Sequence, residues 1–216
     1  MVAPENQVDR IGNGWKVAMT TLMHERRSAD ALRTVHRDHD LTGRIYDEER
    51  DETATVMEPY KWYPQRAGRV DLVFERASEM GKMDDAVVRQ AIAELMIKAR
   101  TAEWTARRAR AAQQQGRPQG PEGSLGKLAA SHVARQASKV HTMISGSDSM
   151  LEGEDGPLAG LIAEILVSVP ATSIAGGTDE IQRNIIAERV LGMPKEPRMD
   201  TGPFRDVMKN PGPTHS

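Results

Sequence analysis

The chain has 216 residues, a formal net charge of −2 at pH 7, 4% aromatic residues and no cysteine. Without cysteine there is no disulfide and no thiolate metal site, which fits a reducing cytoplasm. The near-neutral charge gives no electrostatic basis for binding nucleic acid or an anionic membrane, and no apolar run approaches the roughly 20 residues that span a bilayer.

Scarce aromatics with plentiful Ala, Met, Leu and Ile favour packed helices over a β-sandwich. Residues 1–13 are polar and aperiodic and read as an extended lead-in, with no hydrophobic signal core in Met1–Arg10. A first helix is predicted from about Gly14 to about Val35, because Trp15, Ala18, Met19, Leu22, Ala29 and Leu32 follow helical spacing. Residues 36–68 are rich in charge and turn formers and read as an irregular insertion, with a short helix near Tyr46–Glu52 as one form of it. Its aromatic cluster, Tyr60, Trp62 and Tyr63, suits docking on the bundle or on a partner. His36 and His39 beside Asp38 and Asp40 are ligand types for Zn²⁺ or Ni²⁺, but they also suit a helix C-terminus, and no metal site is predicted.

Helical signals resume at about Val70–Met80 and stop at Gly81. Asp84 and Asp85 open a long helix with Val88, Ile92, Leu95, Ala99, Ala102 and Ala106 on one face. Residues 116–123 read as a loop, and Leu125, Leu128, His132, Val140 and Ile144 mark the next helix. A second loop covers 146–157, a short helix Leu158–Val167, and a last helix Thr178–Leu191. Beyond Pro194, Pro and Gly recur and residues 194–216 read as a disordered tail. The fold class is therefore all-α: an up-down helical bundle over 14–193 interrupted by the insertion.

The last helix follows Gly176 and Gly177 directly. Thr178 is a good N-cap, and Asp179 and Glu180 place acids in the first turn. Glycines before exposed backbone N–H groups admit close approach by an anionic or polar ligand. The same string also fits a plain glycine turn before a surface helix.

The string GGTDEIQRNIIAERVLG, residues 176–192, resembles the last helix of the flavin-dependent acyl-CoA dehydrogenases. Residues 14–26, GWKVAMTTLMHER, resemble the entry to the first helix of that family's C-terminal domain. The stretches 81–92 and 125–151 resemble the intervening helices more weakly. The resemblance implies a C-terminal helical domain of a larger architecture, beginning here at an internal methionine. It also implies FAD, an acyl-CoA substrate, an electron-transferring flavoprotein as acceptor, and a homo-oligomer or heteromeric partner built around the last two helices.

Acyl-CoA dehydrogenation needs a carboxylate to remove the α-proton of the thioester while a hydride leaves the β-carbon. Many members of the family carry that glutamate directly before the Gly-Thr of the last helix. Gly176 stands there, so the usual base is absent. The isovaleryl- and long-chain-type branch places it on the first helix before an arginine, and Glu25-Arg26 matches that position. By resemblance, Glu25 is the base and Arg26 helps to position it. Gly176 and Gly177 lie beside the thioester, and Thr178, Asp179 and Glu180 contact FAD. Gln90 reaches a neighbour's FAD. Two family flavin segments are altered: Ala77–Gly81 lacks the flavin-binding arginine, and Thr142–Gly146 keeps only part of its pattern. Such departures resemble divergent bacterial members that act on bulky or steroid CoA esters, some as heteromeric pairs. The alternative function is a non-catalytic oligomerisation fragment or companion subunit.

Overall fold

The structure is a computed structural model that describes residues 3–34, 42–57, 63–117, 120, 122–196 and 204–206. Among these residues every regular element is helical. The helices are α1 (Gly14–Thr34), α2 (Arg44–Met57), α3 (Tyr63–Arg66), α4 (Val73–Glu79), α5 (Ala86–Gln114), α6 (Glu122–Ser145), α7 (Leu161–Ser168) and α8 (Asp179–Arg189). Short 3₁₀ turns link several of them.

The framework is the α5–α6 hairpin. Asp85 starts α5 by accepting from the N–H groups of Val87, at 2.8 Å, and Val88, at 3.3 Å. Val88, Ala91, Ile92 and Leu95 of α5 pack with Ala137, Val140 and Ile144 of α6 and with Val73 and Ala77 of α4. Buried Gln136 of α6 donates to the Ala91 carbonyl at 3.1 Å, which satisfies its amide inside this layer. A second cluster joins Ala134 of α6 to Ile162 and Ile165 of α7 and to Val169. Gly68, at φ +86°, carries the chain from α3 against α6.

Several expectations change in detail. The predicted insertion holds a 14-residue helix, α2, longer than the short segment near Tyr46–Glu52. Arg44 pairs with Glu48 at 3.1 Å one turn on, and Arg50 pairs with Asp47. The last predicted short helix begins at Leu161, not Leu158, because Leu158 and Ala159 adopt positive φ and Gly160 caps the start at φ +84°. The loop predicted over 146–157 contains two 3₁₀ turns, Gly146–Met150 and Gly153–Asp155. Val35, the His36–Asp40 segment, Tyr60, Trp62 and most of the tail lie outside the described residues.

Helix α1 forms where its spacing places it, but the bundle does not cover its stripe. Trp15 is 79% exposed and Met19, Leu22 and Met23 are also exposed. The second half of α5 likewise leaves Ile97 and Trp104 in solvent. No helix among the described residues is long and apolar enough to cross a membrane.

Candidate functional site

The glycine turn before α8 is built by three side chains. Thr178 has extended backbone geometry, and its hydroxyl accepts from the Ile181 N–H at 3.3 Å, capping the helix. Gln182, buried one turn into α8, donates to the carbonyls of Gly176 at 3.2 Å and Gly177 at 3.3 Å. A planar trans peptide points its N–H opposite to its carbonyl. Tying both carbonyls to Gln182 therefore turns the N–H groups of Gly177 and Thr178 away from the helix body. Gly177 has φ +96°, a conformation that side chains rarely adopt, and a Cβ there would stand 2.7 Å from Gln182 Nε2 and push aside the amide that holds the turn. Gly176 has φ +69° but open space around it; backbone conformation, not room, selects glycine there.

Asp179 anchors this turn to α6. Its side chain is 3% exposed, with Oδ1 at 3.0 Å from Lys127 Nζ and Oδ2 at 3.2 Å from Arg135 Nη2. Lys127 also donates to Ser131 Oγ at 3.3 Å, and Ser131 donates to the Thr172 carbonyl at 3.0 Å. Burial alone would raise the Asp179 pKa. The Lys127 hydrogen bond and charge, with the nearby Ser131 and Ser173 hydroxyls, outweigh it and hold the carboxyl below its ordinary value. Stability from this group is thus present above the ordinary aspartate pKa and is lost as pH falls through the lowered one. Asp179→Asn keeps the shape but leaves two cations without their counter-charge. It is expected to cost about 2 kcal/mol, discounted because Arg135 is half exposed. Urea unfolding near neutral pH measures this; an unchanged midpoint would show that the clamp adds nothing.

Glu180 is exposed and pairs with Arg183 at 3.3 Å. Its carboxyl sits below its ordinary value because its own backbone N–H and the Thr178 hydroxyl hydrogen-bond to it. Gln90 is exposed on α5, a different element from the glycine turn. The α1 backbone is helical through Glu25 and Arg26, whose side chains lie outside the described residues. An open groove of about 330 Å³ runs between α5 and α6, lined by Ile97, Thr101, Ala102, Leu125, Ala129 and His132 among others. His132 is lowered by burial and then by the Arg135 charge. Among the described residues searched, no cluster of His, Asp and Glu could hold a metal ion.

Sequence reasoning missed Arg76. It is 5% exposed, and its guanidinium donates to Ser145 Oγ at 2.7 Å and meets His141 Nδ1 at 3.2 Å. It thereby ties α4 to the C-terminal end of α6, next to the segments Ala77–Gly81 and Thr142–Gly146. The available signal was its spacing, i+3 from Val73 and beside Ala77 on the apolar face of α4.

FAD is the cofactor that the resemblance implies. The outward N–H groups of the glycine turn, the capped α8 start and the positive φ of Gly177 fit a polar ligand brought close to backbone.

Comparison with known proteins identifies the family. The family described as "Acyl-CoA dehydrogenase, C-terminal domain" matches residues 69–191, which contain α4 to α8 and the glycine turn. The chain is 28% identical over 192 residues to acyl-CoA dehydrogenase IpdE1 of Mycolicibacterium smegmatis, covering 88% of this chain and 39% of that protein. It is 26% identical over 193 residues to acyl-CoA dehydrogenase IpdE1 of Mycobacterium tuberculosis, covering 86% of this chain and 40% of that one. The chain thus spans about two fifths of the length of these curated relatives. A solved structure described as the Tcur3481-Tcur3483 steroid ACAD shares the fold, with TM-score 0.52 and 21% identity over 58% of this chain and 33% of that chain. With more than half of its length matched by the family, including the turn and helix that carry the site, the chain belongs to the acyl-CoA dehydrogenases through their C-terminal helical domain.

Proposed function

We propose that this chain serves FAD-dependent α,β-dehydrogenation of an acyl-CoA thioester, contributing the helical half of the cleft. The observation that carries the reading is the Gln182-held Gly176–Gly177 turn at the start of α8, inside the family match. Bound FAD supplies the two-electron acceptor for the β-hydride. Glu25 takes the α-proton, and Arg26, next to it in sequence, helps to position the glutamate and the substrate. The Gly177 and Thr178 N–H groups face the thioester and the polar part of the cofactor. With the Asp179 side chain committed to Lys127 and Arg135, its own part in the contact is the backbone N–H of the first helical turn. Glu180 and Gln90, both exposed, offer side chains to FAD, Gln90 to that of a neighbouring subunit. The electrons then pass to an electron-transferring flavoprotein.

A companion-subunit role is the second reading. The Ala77–Gly81 and Thr142–Gly146 departures favour it, because this chain then offers its helices to a partner's flavin. Exposed Ile181, Val190 and Leu191 on and after α8 suit such an interface. The fold relative Tcur3481-Tcur3483, a steroid ACAD, supports a paired enzyme and a bulky, ring-bearing acyl group.

The experiment is to tag the chain, purify it with its companions from its host, and add a steroid-derived or linear CoA ester with a dye acceptor. Ester-dependent dye reduction is expected. A complex that contains flavin yet reduces no dye with any CoA ester would contradict the enzyme reading.

A further inference from the structure

His141, near the C-terminal end of α6 on its buried face, has no exposed surface. Its Nε2 lies 3.1 Å from the Arg69 carbonyl, and its Nδ1 lies 3.2 Å from Arg76 Nη1. A carbonyl only accepts and a guanidinium only donates. The ring is therefore neutral, with the proton on Nε2 and a bare Nδ1 accepting from Arg76. These two bonds fasten α6 to two neighbours at once: α4, through Arg76, and the turn before it, through Arg69.

That turn is costly to hold. Gly68 has φ +86°, and Arg69, a non-glycine residue, has φ +41°. Arg69 is steadied by a two-pronged bond to Asp71, at 2.7 Å for its closest pair. The Arg76 guanidinium is nearly buried, with Ser145 and His141 as its hydrogen-bond partners.

We propose that His141 is a proton-operated latch, and that protonating it releases the Gly68–Leu72 turn and α4 from α6. Protonated Nδ1 becomes a donor facing a donor, and two cations then stand side by side in the interior. Every charge that bears on the ring is on the released side or at its edge. Arg76, on α4, opposes protonation, while Asp71 and the Gly68 and Arg69 carbonyls, in the turn, favour it. Glu79 of α4 acts on Arg76. The facing layer from α5 is apolar, with Val88, Ala91, Ile92 and Leu95. On the α3–α7 side, Glu164 is bonded to Gln65, and Arg66 donates to the Ala171 carbonyl.

Burial is the largest influence on His141 and pushes its pKa below the ordinary histidine value. The unfolded chain then binds the proton more readily than the folded one. The latch is fully closed above the ordinary value of about 6.5 and opens progressively as pH falls below it, toward the lowered pKa. The device is independent of the dehydrogenase reading, although α4 carries one of the segments that resemble the family's flavin contacts.

Amide hydrogen exchange read by mass spectrometry tests it on the intact chain. Protection of residues 66–80, referenced to the buried part of α5 at each pH, is expected to drop several-fold, to a ceiling of about tenfold for one histidine, between about pH 7.5 and 5.5. In His141→Gln the amide still donates to Arg69 and accepts from Arg76 but takes no proton, so the drop should vanish. The same drop in wild type and variant would overturn the proposal, as would wild-type protection that ignores pH. Should His141→Gln fail to fold, NMR titration of the wild-type imidazole decides instead. An ordinary or raised pKa for His141 would overturn the latch, and a lowered one that titrates together with the Gly68–Leu72 amides would support it.

Discussion

Gly68→Ala is expected to destabilise the fold by about 3 kcal/mol, the sum of a left-handed backbone penalty and overpacking. A Cβ at Gly68 would stand 2.9 Å from the Ala134 carbonyl oxygen and 3.0 Å from both Ala134 Cα and Ala137 Cβ. Two of these are backbone atoms of α6 and have no rotamer to yield. The turn must instead back away from α6, which also lengthens the Arg69–His141 bond. Gly146→Ala is the matched control. Gly146 has φ +61° with open space around it, so it bears only the backbone penalty of about 1 kcal/mol. Urea midpoints of the two variants separate the terms. Equal losses would show that the close approach of the turn to α6 is unimportant.

Glu25→Gln is expected to lower turnover of the purified assembly by at least about 10²-fold while leaving its flavin content unchanged. The amide keeps the size and most hydrogen bonding of the carboxylate but accepts no proton. Gly176 has no side chain, and no other carboxylate falls on a base position of the family. Full turnover in Glu25→Gln would refute the assignment. Gly176→Glu provides a complementary readout. Open space around Gly176 leaves room for the longer side chain, although φ +69° adds strain, so partial rescue of Glu25→Gln is expected.

Local chemistry was the legible part of this sequence. Asp85 and Thr178 cap the helices that their positions announce, because capping depends on residues two and three places away. The apolar spacing of Val88, Ile92 and Leu95 identified the buried face of α5. Past Leu95 the same spacing misled: Ala106 is exposed, because periodicity reports an apolar face and not what covers it. The start of α7 was misplaced because Leu158 and Ala159 take a backbone conformation that bulky residues seldom adopt. The next residue, Gly160, passes close to the Gly153 backbone: a Cβ there would lie 2.6 Å from the Gly153 nitrogen.

The polar interior was the illegible part. Asp179 looks like a first-turn acid for the helix dipole, yet its carboxylate turns inward to Lys127, 52 positions away. Arg76 and His141 are 65 positions apart; the spacing of Arg76 hints at its burial, but nothing in the sequence names its partner. Long-range pairs of this kind leave no period and no motif. The glycine turn itself was legible, but the role of Gln182 in aiming its N–H groups emerged only from the fold.

The central claim is that this chain takes part in a flavin-dependent acyl-CoA dehydrogenase. The most direct measurement is the visible spectrum of the tagged assembly, before and after anaerobic addition of a CoA ester. The account predicts flavin absorbance near about 450 nm that bleaches on addition of the ester. It further predicts that bleaching is slowed in Glu25→Gln. An assembly that purifies without flavin, and takes none up from added FAD, would contradict it.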